Sequence, residues 1–265
     1  MTFQIEPKTT TRRDWLMIAG AAAATGGVPK ILGTDAFAQT IAGKIKAVGF
    51  DAFTIFSPLS VDAVIDEYFP GKGSQLATAW RVRIFEYCWL RTLNQTYVDF
   101  WQILDDALVF VCKVANIELK ADARDKFMDA FLNLKPWPDS IEASLRSMRQ
   151  AGIRLAYVSN LTPKILTTNS QSAGISDLFE HVLSTDRVKA YKPDLRAYQM
   201  AEVAFNLSRE SIVFAAFGGW DAAGAKSFGL NTFWVNQVNA PLEELGVKPD
   251  AMGRTLLDLA RYVTA

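Results

Sequence analysis

Five runs of apolar residues recur along the chain, each with the length of a β-strand. They lie at 45–53, 153–160, 179–185, 211–217 and 231–236. Runs that stay apolar at successive positions are typical of strands buried on both faces, as in a parallel sheet covered by helices. The pattern therefore predicts five strands of one parallel sheet.

Helix-like segments lie between these runs, at 139–151, 163–173, 194–206 and 221–228. Strands that alternate with helices of this length predict right-handed strand–helix–strand units. Units of this kind build a sheet with helices packed on both faces. The predicted fold class is therefore α/β, with a doubly wound parallel sheet.

The stretch from residue 60 to 134 interrupts this alternation. It contains no apolar run of strand length, and its apolar residues recur with helical spacing, as in "LATAWRVRIFEYCWLRTL". We interpret 60–134 as an all-helical cap domain inserted into an α/β core formed by 44–59 and 135–265. Pro136 and Pro138 mark the return to the sheet. Ligands of such sheets lie beyond the carboxyl ends of the strands, so the cap is expected to close over a site there.

The first residues carry the features of an export signal. Arg12 and Arg13 precede a short Ala-rich apolar run, and small residues follow at Ala36 and Ala38. The pattern resembles a bacterial twin-arginine signal, residues 1–38, that is cleaved after Ala38. The run is shorter than the roughly 18–20 residues that span a bilayer, so an uncleaved anchor is the weaker alternative. The mature chain is expected in the periplasm without a membrane partner.

Composition and charge argue against several classes of partner. The 265 residues are half apolar, enough for a sizeable core, and 28 basic residues balance 28 acidic ones. This balance does not favour nucleic acid or an anionic membrane as a partner. Cys88 and Cys112 lack the spacing of metal ligands and are too few for a disulfide framework. We expect both to be buried helix residues, with a single bridge as the alternative.

Polar side chains lie near the ends of predicted strands. They are Asp51, Ser159 with Asn160, Lys192 in "YKPD" and Asp221 in "GGWDAAGA". The carboxyl ends of parallel strands meet at one edge of the sheet. We therefore expect these side chains to converge on a single pocket.

Five motifs, "FDAF", "WRVRIFEYCWLR", "VSN", "YKPD" and "GWDAAGA", occur in an order that resembles the type II haloacid dehalogenases. The second motif is the most specific, whereas the first, third and fourth occur throughout the haloacid dehalogenase superfamily. The resemblance covers essentially the whole mature chain. It implies a Rossmann-like core with a helical cap that hydrolyses short 2-haloalkanoic acids to 2-hydroxy acids and halide without a cofactor. Dimers are common in this family, so a homodimer is a further expectation.

Phe53 distinguishes this chain from phosphatases of the same superfamily. In those enzymes the position two after the nucleophilic aspartate is usually a second aspartate, which protonates the leaving alkoxide and helps to hold magnesium. A halide leaves without a proton, so an apolar residue can stand there. Metal sites also need several oxygen ligands, and "FAAFGGWDAAGA" offers only Asp221. The resemblance therefore implies displacement at carbon without a metal.

The resemblance also implies a role for each catalytic position. Asp51 attacks the carbon that bears the halogen and forms an ester, which water then hydrolyses. Arg81 faces Asp51 and receives the halide, with Asn160 beside it. The alternative is that Arg81 is a solvated charge on the surface of a helix. Lys192 pairs with Asp51 and keeps it ionised, unless it is a surface lysine. Asp221 orients or activates the hydrolytic water, directly or through Lys192, and it can also cap the following helix.

The remaining matched positions are expected to shape the substrate pocket. Ser159 and the backbone amides near Asn160 hold the substrate carboxylate at a helix start. Tyr198 has the spacing after Lys192 that would fix that lysine. Aromatic residues on helices are usually plain core, but four aromatic positions match the apolar pocket of the family: Phe53, Phe85, Phe100 and Trp220.

Two stretches depart from the family pattern. The loop "FTIFSP" after the first motif is one residue shorter than usual and is expected to follow a different path. Ala216 and Gly218 stand where the family commonly has Ser and Asn, whose polar groups contact the lysine and the water. Two alternatives stay open. One is a superfamily phosphatase, against which Phe53 argues. The other is a weakly active protein that binds small carboxylates, which the residues Ala216 and Gly218 keep open.

Overall fold

The structure is a computed structural model that describes residues 44–265. The export signal predicted at 1–38, with its paired arginines, lies outside the described residues. Among the helices of residues 44–265, none has the length and apolar character needed to cross a membrane. The predicted α/β fold class is confirmed, with a largely parallel sheet flanked by helices.

The described chain contains eight strands: β1 (Ala47–Phe50), β2 (Phe56–Ser57), β3 (Lys135–Pro136), β4 (Arg154–Ser159), β5 (His181–Ser184), β6 (Ile212–Ala216), β7 (Asn231–Val235) and β8 (Ala251–Gly253). Six of them form one parallel sheet, in the order β5–β4–β1–β6–β7–β8. The remaining two, β2 and β3, form a short antiparallel pair where the chain enters and leaves the segment 60–134.

The order of the sheet reverses at β1. The chain moves from β1 to β4 and β5 on one side and then returns to β6 and β7 on the other. Connections that leave a strand in opposite directions open a crevice beyond its carboxyl end. Asp51 follows directly after β1 and therefore lies at this crevice.

Helices occupy the segment 60–134 and alternate with strands elsewhere. The segment holds four α-helices and no strand of the sheet, as its helical spacing predicts. The boundaries of a separate cap domain stay a prediction. The helices are α1 (Ser60–Tyr68), α2 (Gly73–Leu93), α3 (Phe100–Val114), α4 (Ala121–Ala130), α5 (Ile141–Gln150), α6 (Pro163–Ser172), α7 (Leu195–Phe205), α8 (Gly219–Phe228) and α9 (Leu256–Thr264).

Alternate residues of the central strands pack against different helices. Val48 and Phe50 of β1 belong to a core that includes apolar residues of α5, α6 and α9. Ala47 belongs to a second core that includes residues of α7 and α8. Since successive side chains of a strand point to opposite faces, the sheet is covered by helices on both sides. This is the doubly wound arrangement that the sequence predicts.

Apart from 3₁₀ turns, the structure contains four elements that the sequence patterns did not predict: the two-residue strands β2 and β3, and also β8 and α9. β8 has three residues, and its Met252 is exposed, so it is too short to show an alternating pattern. α9 begins with a capping box in which Thr255 and Asp258 each accept a backbone hydrogen bond from the other. This cap precedes apolar residues at helical spacing, so a sequence signal for α9 was present.

Helix α2 is held to α3 and to the core loop that precedes α7. Trp80 Nε1 donates to the Leu104 carbonyl at 2.8 Å. The Tyr191 N–H donates to Thr92 Oγ1 at 3.0 Å, next to the lysine of "YKPD". These contacts fix α2 beside the carboxyl edge of the sheet. The cysteines of α2 and α3, Cys88 and Cys112, are buried and unbridged, as expected.

Candidate active site

The polar side chains predicted to converge do meet beyond the carboxyl end of β1. Asp51 follows β1, Ser159 ends β4, and Asn160 comes directly after it. The Asp51 N–H donates to the Ala215 carbonyl of β6 at 2.9 Å. This bond continues the sheet pairing one residue past β1, so the backbone that carries Asp51 is fixed to its neighbouring strand.

Lys192 connects two carboxylates at the base of the site. Its Nζ donates to Asp51 Oδ1 at 2.9 Å and to Asp221 Oδ2 at 2.7 Å. The Lys192 side chain is only 1% exposed, and Nζ lies 5.1 Å from the ring centroid of Phe214. A buried ammonium is tolerated only when its charge is paired and its protons are hydrogen-bonded. The two carboxylates satisfy Lys192, and Lys192 in turn orients Asp51.

This cluster of Asp51, Lys192 and Asp221 carries one positive and two negative groups. Burial acts to lower the pKa of Lys192, but the carboxylates of Asp221 and Asp51 outweigh it, so the pKa is raised and the ammonium stays charged. Burial raises the pKa of Asp221 to about 6, while Lys192 opposes this rise and Asp51 adds to it. Asp221 therefore takes up a proton in mildly acidic solution while Lys192 remains charged.

Tyr198 supports the cluster from behind. Its hydroxyl donates to Asp221 Oδ1 at 2.7 Å, and burial, followed by the nearby Asp221 charge, raises the pKa of Tyr198 well above its usual value. The sequence predicted that Tyr198 helps to fix Lys192, and in the structure Tyr198 binds Asp221, the carboxylate that accepts from Lys192 Nζ. Both oxygens of Asp221 thus have partners, and neither Asp221 nor Tyr198 lines the cavity at Asp51. Asp221 can reach that cavity only through Lys192.

Ser159 and Asn160 present polar groups on the opposite side of the site. Ser159 Oγ accepts from the Leu161 N–H at 3.2 Å, and Asn160 Oδ1 accepts from the Lys192 N–H at 3.0 Å. The Asn160 Nδ2 is buried and finds no hydrogen-bond acceptor within residues 44–265. A buried donor left unpaired costs free energy. Asn160 therefore offers this donor to a ligand.

A cavity of about 70 Å³ opens onto Asp51. Its wall is largely aromatic, and its polar groups are the carboxylate, amide, hydroxyl and ammonium described above. Sequence analysis did not predict three of its lining residues. It placed Phe217 in a strand, described Gly218 only as a position that lacks a polar side chain, and did not single out Leu161. The full lining is Asp51, Phe53, Phe85, Ser159, Asn160, Leu161, Lys192, Phe217, Gly218 and Trp220.

A second cavity, of about 50 Å³, adjoins the first. Phe53, Phe85 and Phe217 line both cavities. Phe53 and Phe217 pack edge to face, with ring centroids 6.2 Å apart. Phe100, which was expected in the substrate pocket, lines the second cavity and not the first.

Arg81 also lines the second cavity rather than the one that holds Asp51. The resemblance led us to expect that Arg81 faces Asp51, and this role stays a prediction. The guanidinium is paired with the carboxylate of Asp62, on α1. The Arg81 side chain is 21% exposed, so it is not a fully solvated helix charge.

Gly218 provides the space that the indole of Trp220 occupies. A Cβ atom at position 218 would lie 2.8 Å from Trp220 Nε1 and 3.2 Å from its Cδ1. Asparagine at 218 would therefore require the indole to move. The ring of Trp220 packs edge to face on Phe85, with centroids 5.2 Å apart, so the substitution is coupled to the aromatic wall of the cavity.

The short loop after Asp51 is held by hydrogen bonds to its backbone. Thr54 Oγ1 donates to the Asp51 carbonyl at 2.7 Å, and Trp137 Nε1 donates to the Phe53 carbonyl at 2.8 Å. Gln237 Nε2 donates to the Thr54 carbonyl at 3.1 Å. The loop forms a single 3₁₀ turn that directs Phe53 to the cavity. Sequence analysis did not identify these three supporting side chains.

The polar groups of the site do not resemble the ligand set of a metal ion. Within residues 44–265, no group of three or more His, Cys, Asp or Glu side chains is arranged to hold one. Lys192 Nζ already lies between the two carboxylates and supplies a positive charge there. Activity without a metal stays a prediction, which chelation can test.

Comparison with known proteins identifies relatives that match most of the chain. The family model of the haloacid dehalogenase-like hydrolases matches residues 20–229. The (S)-2-haloacid dehalogenase of Pseudomonas sp. (strain YL) is 41% identical over 207 residues, which cover 78% of this chain and 89% of that protein. The family resemblance indicated by the five motifs is therefore confirmed.

Solved structures share the same architecture. The L-2-haloacid dehalogenase RSc1362 superposes with a TM-score of 0.81 at 39% identity, over 83% of this chain and 99% of that one. The L-2-haloacid dehalogenase of Xanthobacter autotrophicus with chloropropionic acid covalently bound gives a TM-score of 0.77 at 29% identity, over 83% and 98%. These similarities agree with the predicted fold class.

Proposed function

We propose that this chain, which belongs to the haloacid dehalogenase-like hydrolases and within them to the (S)-2-haloacid dehalogenases, converts short 2-haloalkanoic acids to 2-hydroxy acids and halide. The observation that carries the proposal is the Asp51 carboxylate, held by Lys192 at the edge of a small aromatic cavity. A carboxylate oriented in this way is suited to attack an electrophilic carbon, since its free oxygen is fixed and partly desolvated.

The first step forms an ester on Asp51. One carboxylate oxygen attacks C2 of the substrate in line with the carbon–halogen bond, which breaks with its electron pair on the departing halide. The configuration at C2 inverts in this displacement. A covalent route is supported by the relative from Xanthobacter autotrophicus, which was solved with chloropropionic acid covalently bound.

The second step hydrolyses that ester. Water attacks the ester carbonyl carbon, and the bond from that carbon to the product oxygen breaks. The product oxygen takes up one proton of the water, and the other proton is released to solvent, which restores the Asp51 carboxylate. Lys192 stabilises the negative charge that develops on the former Asp51 carboxyl group. Asp221 acts through Lys192, because its own oxygens are occupied by Lys192 and Tyr198 and it does not line the cavity.

The size of the cavity restricts the substrate to short acids. Pockets for drug-sized ligands measure about 300 Å³ or more, whereas this cavity is about 70 Å³. The free Asn160 Nδ2 contacts the departing halide in our proposal, and the neighbouring Ser159 with its following amides holds the carboxylate. Arg81, which lines the adjoining cavity, attracts the halide.

Halide release from purified protein with (S)-2-chloropropionate tests the proposal. We expect chloride and a 2-hydroxy acid in equal amounts, much lower rates with the (R) enantiomer, and no loss of activity in EDTA. A phosphatase would instead hydrolyse p-nitrophenyl phosphate and depend on magnesium. A protein that only binds small carboxylates would release no halide above the background rate.

We also propose that the twin-arginine pattern at 1–38 exports the chain to the periplasm, on the basis of the sequence pattern alone. Replacing Arg12 and Arg13 together with lysine should retain the protein in the cytoplasm, since the export machinery reads the arginine pair. Fractionation of cells that express both forms measures this. Mature protein from the double variant in the periplasmic fraction would argue against the route.

A further inference from the structure

We propose that Asp62 competes with the halide for Arg81 and thereby promotes halide release. The inference rests on the proposed function, in which Arg81 attracts the halide. Asp62 lies in the first turn of α1, and Arg81 lies on α2. Asp62 does not touch the reacting groups, so its proposed role is to position Arg81 and to balance its charge.

The contacts between the two side chains occupy much of the guanidinium. Arg81 Nη1 donates to Asp62 Oδ1, and Arg81 Nη2 lies 3.4 Å from Asp62 Oδ2. Nη2 also donates to Thr78 Oγ1 at 3.1 Å, one turn earlier on α2. The side chains of Arg81 and Asp62 are only 21% and 22% exposed, so water screens this ion pair less than it would at the surface.

The surroundings of Arg81 explain why a competing anion would matter. Apart from the guanidinium, the cavity that it lines is walled by aromatic and aliphatic side chains, among them Phe53, Phe100 and Phe131. In such surroundings an unpaired guanidinium attracts an anion strongly, because there is little water to screen its charge. A halide produced at Asp51 would then leave slowly. Asp62 lowers the net charge at Arg81 and offers an anion that can displace the halide.

Asp62→Asn separates this role from simple structural support. Asparagine can still accept a hydrogen bond from Arg81, but it no longer neutralises its charge. We expect the bromide inhibition constant to fall about tenfold, a change that corresponds to the free energy of one charge-assisted hydrogen bond. The KM for (S)-2-chloropropionate should fall as well, since the substrate is also an anion, and kcat should fall if halide release becomes limiting. Asp62→Glu should restore the wild-type inhibition constant.

Asp106→Asn is the matched control. Asp106 lies on α3 and accepts from Arg91 Nη2 at 2.6 Å, with side chains about as exposed as those of the Arg81 pair. It lines neither cavity at the site. This variant loses an ion pair of the same helical segment, so it should show a similar change in melting temperature. Its bromide inhibition and its KM should match those of the wild-type protein.

Bromide binding measured by calorimetry without substrate keeps this test independent of turnover. Tighter binding in Asp62→Asn than in Asp106→Asn supports the inference. Equal bromide affinity in both variants and the wild type would overturn it, even if wild-type protein releases halide and the proposed function stands. Failure of the wild-type protein to release halide would refute the proposed function instead, and the calorimetric result would still decide whether Asp62 competes for Arg81.

Discussion

Replacing Asp51 with asparagine should abolish halide release while leaving the fold intact. The amide is a far weaker nucleophile than the carboxylate, and loss of a catalytic nucleophile lowers turnover on the order of 10⁴-fold or more. Stability should not suffer, because Lys192 would then pair with Asp221 alone, one positive group with one negative. A halide electrode measures the loss of turnover, and scanning calorimetry measures the melting temperature.

Asp250→Asn is a matched control for this variant. Asp250 also accepts from a lysine, Lys226 Nζ at 2.6 Å, and from the Thr232 N–H at 2.9 Å, but it lines neither cavity. We expect Asp250→Asn to lose about 1–3 kcal/mol of stability and to keep its turnover. Substantial turnover in Asp51→Asn, with intact asparagine verified by mass spectrometry, would contradict the nucleophilic role.

A single turnover in water enriched in heavy oxygen, with enzyme in excess, identifies which atom attacks the substrate. If Asp51 forms the ester, the new hydroxyl of the product takes unlabelled oxygen from the carboxylate. The label should instead enter the peptide that contains Asp51, because water attacks the ester carbonyl. A labelled hydroxyl with unlabelled Asp51 would mean direct attack by water, with Asp51 as a general base.

The convergence of Asp51, Lys192 and Asp221 could be predicted from the sequence. Each strand of the parallel sheet gives a local signal, a run of apolar residues bounded by polar ones, and one geometric rule then brings the strand ends together. The resemblance to the family predicted the pairing of Lys192 with Asp51. In the structure Lys192 Nζ lies 2.9 Å from Asp51 Oδ1. Local pattern and topology were sufficient for this part of the site.

The surroundings of Arg81 could not be predicted in the same way. Arg81 and Asp62 lie on different helices, and their contact depends on the rotation and crossing of α1 against α2. Apolar spacing defines which face of a helix is buried, but it does not define which charges of two helices meet. The position of the Trp220 indole over Gly218 likewise depends on a side-chain rotamer, which sequence spacing does not encode.

Replacing Lys192 with methionine should reduce turnover about 10³-fold at neutral pH, the scale of a lost charged catalytic group. Methionine keeps most of the side-chain volume, but it leaves Asp51 and Asp221 buried without a cation. Lys192 is the group that opposes the rise in the pKa of Asp221, which is already about 6. Its loss should raise that pKa further, so that Asp221 keeps a proton at neutral pH. Turnover should therefore recover in part as the pH is raised and the proton is lost.

The stability of the Lys192→Met variant should fall as the pH rises, whereas its turnover should rise. Breaking a buried ion pair costs roughly 3–5 kcal/mol when the remaining charge stays unpaired. The pKa of Asp221 is higher in the folded than in the unfolded state, so between these two pKa values the folded state binds more protons. Stability is therefore lost as the pH rises through the pKa of the folded state. The deficit in melting temperature relative to wild type should thus be smallest near pH 5 and largest near pH 8. Lys226→Met, which removes the partly exposed partner of Asp250, should show a small deficit that does not vary in this way. A deficit of Lys192→Met that is equal at both pH values would show that Asp221 does not take up the proton, and that another change compensates for the missing ammonium.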